Sequence, residues 1–435
     1  MESAVKKRFE YEKAKDHRAG GEGDSSRAHS VFDGTGNDQL HVGYGAGSGA
    51  VGPFYFDFYP QNLSKRANKY KYRRFIENKI VPLHTNFGKN TFKTYMNVRT
   101  VSVICPLFNE ERFIEKCITS ILEQDYPTDK LEVLFIDGRS TDHTADIVKR
   151  YAAQYPFIKL LDNPERVVPY ALNKGLEVAT GEVIMRIDGH CTYPTNYISE
   201  LVRYLYELNA DNVGGVWNTQ PAKDTAICHA IALASSHPFG VGGSMHKIGA
   251  SRIIETDTVP FGCYKREVFE RTGPFDTDLV RNQDDEFNGR LQNLGGKIFL
   301  IPQVIINYTA RDTICKMRHM YYQYGLYKPL VNKKLGAPAT IRQFFPLGFL
   351  LGLIFGTIAS CFSTTILNIF ALMLLFYLFI GLVVGGMGAV RTRTVAVMPL
   401  MPYVFLNIHL SYGFGYLRGI FKVLGNKSFN VNSNR

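Results

Sequence analysis

From Val98 onward the chain alternates short apolar runs with amphipathic stretches. Residues 101–105 are an apolar run stopped by Pro106, which predicts a buried strand. Residues 110–123 put Phe113, Ile114, Cys117, Ile118, Ile121 and Leu122 on one helical face. A second strand is expected over 131–136, closed by Asp137-Gly138. Ser140 and Thr141 then precede Asp142, a helix start, and that helix runs to about Tyr155. A strand at 158–161, a helix at 168–179 and, after Gly181, a strand at 183–187 complete the series. Such alternation predicts an α/β fold with a mostly parallel, doubly wound sheet covered on both faces.

The pattern changes completely near the end. Residues 343–390, between Arg342 and Arg391, are 48 positions without a charge. As one helix they would reach roughly 72 Å at about 1.5 Å per residue, more than twice a hydrocarbon core of about 30 Å. Two transmembrane spans are therefore expected, near 345–361 and 366–387, with a turn at Ser363-Thr364-Thr365. Lys333, Lys334 and Arg342 before them, and Arg391 and Arg393 after, assign both flanks to the cytosolic side. A third apolar stretch, 394–417, holds His409 but no acid or other base. Pro399 and Pro402 break its start, and Arg418, Lys422 and Lys427 follow it. Spanning would carry those cations outward, so an interfacial or re-entrant helix is expected, with a third span as the alternative.

Composition narrows the class. A chain of 435 residues allows two or three folded units, and 45% hydrophobic residues rule out wholesale disorder. Seven scattered cysteines, with no CxxC pair, argue against a disulfide framework or a zinc ribbon. Residues 1–99 carry 17 Lys/Arg against 10 Asp/Glu, residues 100–310 carry 20 against 28, and residues 311–435 carry 13 against 1. An acidic centre between basic flanks does not suit a nucleic-acid groove. It suits a catalytic domain held against anionic membrane lipids. The organisation expected is a flexible basic extension (1–97), a catalytic domain (98–310), an amphipathic interfacial helix (311–342), two membrane helices (343–390) and an interfacial or third membrane helix with a tail (391–435). Lys6, Lys7 and Arg8 are not followed by an apolar run, so no signal peptide is expected.

Ligands of an open parallel sheet bind at the carboxyl ends of its strands. Asp137 ends the second strand and Asp188 ends the fourth; the acids at 284–286 follow the turn at Gly273-Pro274. Asp188 and His190, two residues apart in an extended segment, project to the same side and can share one ion. A carboxylate with an imidazole suits Mn²⁺ or Mg²⁺ bridging a diphosphate; a surface turn with an incidental histidine is the alternative. Asp284, Asp285 and Glu286 read either as acidic capping of a helix start or as a general base with its neighbours.

The ordered series Val101-Ser-Val-Ile-Cys-Pro-Leu-Phe-Asn-Glu-Glu, Ser120-Ile-Leu-Glu-Gln-Asp-Tyr-Pro, Ile136-Asp-Gly-Arg-Ser-Thr-Asp, Asp188-Gly-His, Gly262-Cys-Tyr-Lys-Arg-Glu and Gln283-Asp-Asp-Glu-Phe resembles glycosyltransferase family 2. These are inverting GT-A enzymes that use nucleotide sugars, and the likeness is greatest to membrane-bound exopolysaccharide glucosyltransferases of the succinoglycan type. The resemblance covers about 98–330. It implies that Pro106, Phe108, Glu110 and Asp137 hold the nucleotide base. It implies that Asp188 and His190 take the DxD position on a divalent metal, Mn²⁺ or Mg²⁺. It makes Asp284 the catalytic base, or Asp285 under a one-residue shift. Gly262 and Cys263, with Lys265 and Arg266, would flank the donor sugar. Ala171-Leu-Asn-Lys-Gly lacks the arginine many relatives carry there, so Lys174 would meet the diphosphate instead.

The activity so implied is transfer of a hexose, glucose by expectation, from a UDP-sugar to a lipid-linked or growing glycan at the cytosolic membrane face. Around Gln323 the Arg-Trp pair of processive synthases is missing, which disfavours polymer synthesis through a channel. Residues 311–334 read as a membrane-surface helix or as an acceptor-side lid bearing Arg318 and Lys328. The alternatives are a processive synthase of the same family and an inactive scaffold that binds sugar nucleotides.

Overall fold

The structure, a computed structural model, describes residues 98–338 and 340–429. The basic extension expected over 1–97 lies outside them.

In chain order the first elements are β1 (Val101–Leu107), α1 (Ile114–Leu122), β2 (Leu131–Asp137), α2 (Thr144–Gln154), β3 (Ile158–Asp162), α3 (Val168–Val178) and β4 (Val183–Arg186). Each expected strand and helix is present. Every residue of β1 and β2 is buried, which is why these strands read as unbroken apolar runs. α1 buries Ile114, Cys117, Ile118 and Ile121, as its periodicity predicts. It starts four residues later than expected, because the Glu110 carbonyl accepts from the N–H groups of Phe113 and Ile114 in a preceding turn. That turn leaves Glu110 at the carboxyl end of β1.

The second half adds β5 (Cys191–Thr192), α4 (Tyr197–Glu207), β6 (Asn212–Gln220), α5 (Ala226–Ser235), the single turns α6 (Pro238–Val241) and α7 (Met245–Ile248), β7 (Ile254–Glu255), β8 (Cys263–Lys265), α8 (Glu267–Thr272), α9 (Gln283–Asn293) and β9 (Ile298–Thr309). The sheet order is β3-β2-β1-β4-β8-β6-β9-β5, with β7 on β9. β1, β2, β3 and β4 are mutually parallel, as are β6 and β9, but β8 is antiparallel to β4 and to β6. The sheet is thus mixed: its long registers are parallel, and the three-residue β8 interrupts the parallel order midway. Both faces carry a core. One packs Ile118, Phe135 and Leu201. The other packs Ile104, Leu172 and Phe287.

Four helices close the chain: α10 (Ile314–Leu335), α11 (Phe345–Ser360), α12 (Thr364–Thr392) and α13 (Val397–Leu424). Segments Ile341–Ser360 and Thr364–Thr392 are long and apolar enough to cross a membrane. Their outer faces expose Phe355, Leu372 and Phe379, each more than 60% accessible. At about 25 cal/mol per Å², rows of such side chains are costly in water and favourable in hydrocarbon.

α10 and α13 depart from expectation. α10 buries Met317, Tyr321, Leu326 and Val331 against neighbouring elements rather than lying as a free surface helix. Its backbone touches α13 through glycines: a Cβ on Gly325 would stand 2.1 Å from the Tyr412 carbonyl, and one on Gly415 would stand 2.1 Å from the Tyr322 carbonyl. α13 is not broken by its prolines. Pro399 falls in the first turn, where no intrahelical N–H is needed. Pro402 frees the Met398 carbonyl, which lies against Gly385 of α12. α13 therefore packs on α5 and α10 as well as on α11 and α12, and joins the apolar helices to the sheet domain.

Candidate active site

The parallel order of β1 and β4 brings their carboxyl ends side by side. Glu110 follows one and Asp188 and His190 follow the other. His190 Nδ1 lies 3.0 Å from Asp188 Oδ1 and 3.3 Å from Glu110 Oε1. One ligand atom from each of the three lies within 4.8 Å of the others, a set that can hold a metal ion. Glu110, expected near the nucleotide base, stands in this set beside His190. Gly189 permits this closeness, since a Cβ there would strike Leu107 at 2.6 Å. Burial alone would raise the Asp188 carboxyl; His190, Arg186 and Arg311 outweigh it and hold the group below its usual range. A buried and a half-buried carboxylate with a buried imidazole fit a hard or borderline divalent cation.

Asn282, in a left-handed conformation, turns the chain sharply into α9 and presents Asp284 and Asp285 on its first turn. The Arg186 guanidinium grips both oxygens of Asp284. Lys328 of α10 reaches Asp285 at 2.6 Å. The two acids differ in consequence. Burial pushes the Asp284 carboxyl up, despite Arg186. Burial also opposes ionisation of Asp285, but Lys328 overrides it and holds that carboxyl low.

Asp188, His190, Asp284 and Asp285 line one cavity of about 590 Å³, so the acids expected to act together do share a pocket. Other expected residues lie outside its lining. Pro106 is within β1 and Phe108 just beyond it. Asp137, buried at the end of β2, accepts from Ser140 N–H at 3.1 Å and from Ser140 Oγ at 2.5 Å. Lys174 donates to the Asp162 carbonyl at the end of β3, three strands from β4, because α3 seats Gly175 on Ile104 and turns the neighbouring lysine outward. It does not reach the cavity. Gly262 sits beneath the wall made by Thr258, Val259, Pro260 and Phe261, and its carbonyl accepts from Arg186 N–H at 2.9 Å. Lys265 and Arg266 also lie outside the cavity lining. β8 runs antiparallel, pairs Lys265 with Val183, and so carries both residues to the opposite edge of the sheet. Lys328 lines the cavity, whereas Arg318 is exposed elsewhere.

Sequence reasoning missed the cationic lining: Arg186, Lys247, Arg281, Arg311 and Arg342. Arg281 is half-buried and donates from Nε to Gln323 Oε1 at 2.9 Å. Among the described residues no carboxylate forms an ion pair with Arg281, Arg311 or Lys247. Arg186, two residues ahead of Asp188, and Arg281, three ahead of Asp284, stood beside noted motifs, and Arg342 was read only as a flank of the apolar stretch; Lys247 and Arg311 belong to no pattern.

Residues 102–272 match the family model described as glycosyl transferase family 2. Over 247 residues the chain is 30% identical to the succinoglycan biosynthesis protein ExoA of Rhizobium meliloti (strain 1021), covering 56% of this chain and 74% of that protein. The chain belongs to glycosyl transferase family 2. A family member of Methanococcus voltae, dolichyl N-acetyl-alpha-D-glucosaminyl phosphate 3-beta-D-2,3-diacetamido-2,3-dideoxy-beta-D-glucuronosyltransferase, is 28% identical over 337 residues, 76% of this chain and 99% of that one. Among solved structures, the Pyrobaculum calidifontis mannosyltransferase PcManGT, in complex with GDP-Man and Mn²⁺, shares the fold with a TM-score of 0.51 at 23% identity, over 76% of this chain and 88% of that one. The protein is therefore a family 2 glycosyltransferase with a GT-A fold.

Proposed function

We propose that the protein is an inverting hexosyltransferase, anchored by two membrane spans with its catalytic domain in the cytosol. It takes a hexose, with UDP-glucose the first donor to test, and adds it to a lipid-linked or growing glycan. The observation that carries this reading is the single cavity shared by Asp188, His190, Asp284 and Asp285. Glu110, Asp188 and His190 would hold Mn²⁺ or Mg²⁺, which when bound neutralises charge on the departing diphosphate. Asp284 takes the proton of the acceptor hydroxyl, and that oxygen attacks the anomeric carbon opposite the leaving group. One displacement inverts configuration. Asp284 is favoured over Asp285 because it faces Arg186 and Asp188, while Lys328 holds Asp285. Arg281 and Arg311 supply positive charge beside Asp188, the role first expected of Lys174. Pro106, Phe108 and Asp137 hold the nucleotide base.

A screen of nucleotide sugars with Mn²⁺ or Mg²⁺, read by thermal shift and donor hydrolysis, tests the proposal. A ligand that binds the native state raises the melting temperature by mass action. UDP-glucose with metal is expected to give the largest shift. A larger response to another nucleotide sugar reassigns the donor, and silence across the whole set overturns the reading. Product length on a single acceptor separates one addition from processive synthesis.

A further inference from the structure

The stretch Ser120-Ile-Leu-Glu-Gln-Asp-Tyr-Pro, at the end of α1, adds nothing to the cavity lining. Its polar groups grip residues 193–198 instead, the segment that runs from His190 into α4. Ser120 Oγ accepts from Tyr193 N–H at 3.3 Å. Gln124 donates from Nε2 to the Pro194 carbonyl at 2.8 Å, and its Oε1 accepts from Ile198 N–H at 3.0 Å. Asp125 N–H donates to the Thr195 carbonyl at 2.9 Å. Tyr193, so held, reaches back to Asp188. Its hydroxyl accepts from Asp188 N–H at 2.8 Å and donates to the Asp188 carbonyl at 3.2 Å. The same carbonyl also accepts from Cys191 N–H at 3.3 Å and from the Cys117 thiol at 3.7 Å. The Tyr193 ring is buried, with the ring centres of Tyr197 at 4.6 Å and Phe261 at 6.5 Å.

We propose that Tyr193 is a positioning residue for the metal ion, and that Ser120 and Gln124 hold it in place. The proposal rests on the reading of Glu110, Asp188 and His190 as the residues that hold the metal. Buried polar groups need partners wherever they lie. What distinguishes this set is convergence: α1 fixes Tyr193, and one phenolic oxygen then serves both the main-chain donor and the main-chain acceptor of Asp188. Phenylalanine could do neither. With that peptide pinned on both sides, the Asp188 carboxylate and the His190 imidazole, 3.0 Å apart, are set before an ion arrives. Tyr126, in the same stretch, marks the contrast. Its hydroxyl donates to the Arg99 carbonyl at 2.7 Å and has no part in the grip on Asp188.

Full-length protein in detergent would be titrated with Mn²⁺ alone, the free ion being read by electron paramagnetic resonance. Uptake that Asp188→Asn abolishes defines the site. Tyr193→Phe keeps the ring and loses the hydroxyl, so the Mn²⁺ Kd should rise about tenfold. Tyr126→Phe deletes a buried phenol bond of the same stretch and should leave that Kd within about twofold. Ser120→Ala removes only the acceptor for Tyr193 N–H and should raise the Kd about threefold. It carries the test if Tyr193→Phe does not fold. A Kd unchanged in both Tyr193→Phe and Ser120→Ala overturns the positioning role. So does an equal loss in Tyr126→Phe, which would mean general loosening of the fold. Wild-type uptake is measured first. Its absence sinks the metal site itself and the positioning role with it, whereas uptake that Tyr193→Phe leaves untouched sinks the positioning role alone.

Discussion

Arg186 and Asp284 meet side chain to side chain at the cavity floor: the guanidinium that closes β4 grips both oxygens of the carboxylate that opens α9. The two residues are 98 positions apart, and both are largely buried. A buried pair of this kind fixes geometry more than it adds stability, and removing one partner strands the other charge. Asp284→Asn keeps the shape and removes the base. It is expected to lower kcat by about a thousandfold while nucleotide binding stays within about twofold. Asp285→Asn should cost about tenfold or less. Single-turnover transfer with both variants checks this, and a deeper loss in Asp285→Asn would move the base to that residue.

The acid limb of the rate profile follows from the raised Asp284 carboxyl. The base works ionised, so activity falls as pH drops through its pKa, and burial places that loss above the ordinary aspartate value of about 4. Arg186→Met withdraws the charge that partly offsets burial. The limb should then move to higher pH by about one unit. A kcat/KM profile from pH 4 to 8 measures both, and a limb that shifts downward in Arg186→Met would refute the pairing.

Metal dependence should track Glu110 as well as Asp188 and His190. Chelation with EDTA should abolish transfer, and added Mn²⁺ or Mg²⁺ should restore it. Glu110→Gln removes one anionic oxygen, so half-maximal activity should need about tenfold more metal. Unchanged metal demand in that variant would return Glu110 to the nucleotide-base role.

The contact between α10 and α13 is sensitive to a single methyl group. Gly325→Ala drives a Cβ into the Tyr412 carbonyl, backbone against backbone, and should destabilise the protein by about 1–3 kcal/mol. Gly348→Ala on α11 meets nothing within 4 Å and serves as the control. Its melting temperature in detergent should stay level or rise, because alanine is the better helix former. Equal melting temperatures for the two variants would mean that the helices are not in backbone contact.

Of the first four strands, β1, β2 and β4 are buried along their whole length between amphipathic helices, so the apolar run and the 3.6-residue period were both visible. β5, β7 and β8 are two or three residues long, too short for any period, and the antiparallel switch at β8 went unseen with them. Asp188, His190 and the 284–285 pair were found because ordered motifs carry them. Glu110 was seen but assigned elsewhere, since its approach to His190 depends on two strands lying side by side. Lys247 and Arg311 left no trace, because an isolated cation in a loop or single turn looks like any solvated one. α10 and α13 were misread for the opposite reason. Pro399, Pro402 and the cations after the stretch drew the reading to the membrane surface, whereas Gly325, Gly415 and Gly419 each remove a side chain so that two backbones can touch.

Phe345 and Pro346 line the same cavity as Asp284 and Asp285. Whatever tilts the helix they begin also reshapes the reaction chamber. With the spans set in a bilayer as proposed, its thickness is expected to act as a control on turnover, and rate constants obtained in a short-chain detergent would belong to that detergent as much as to the enzyme.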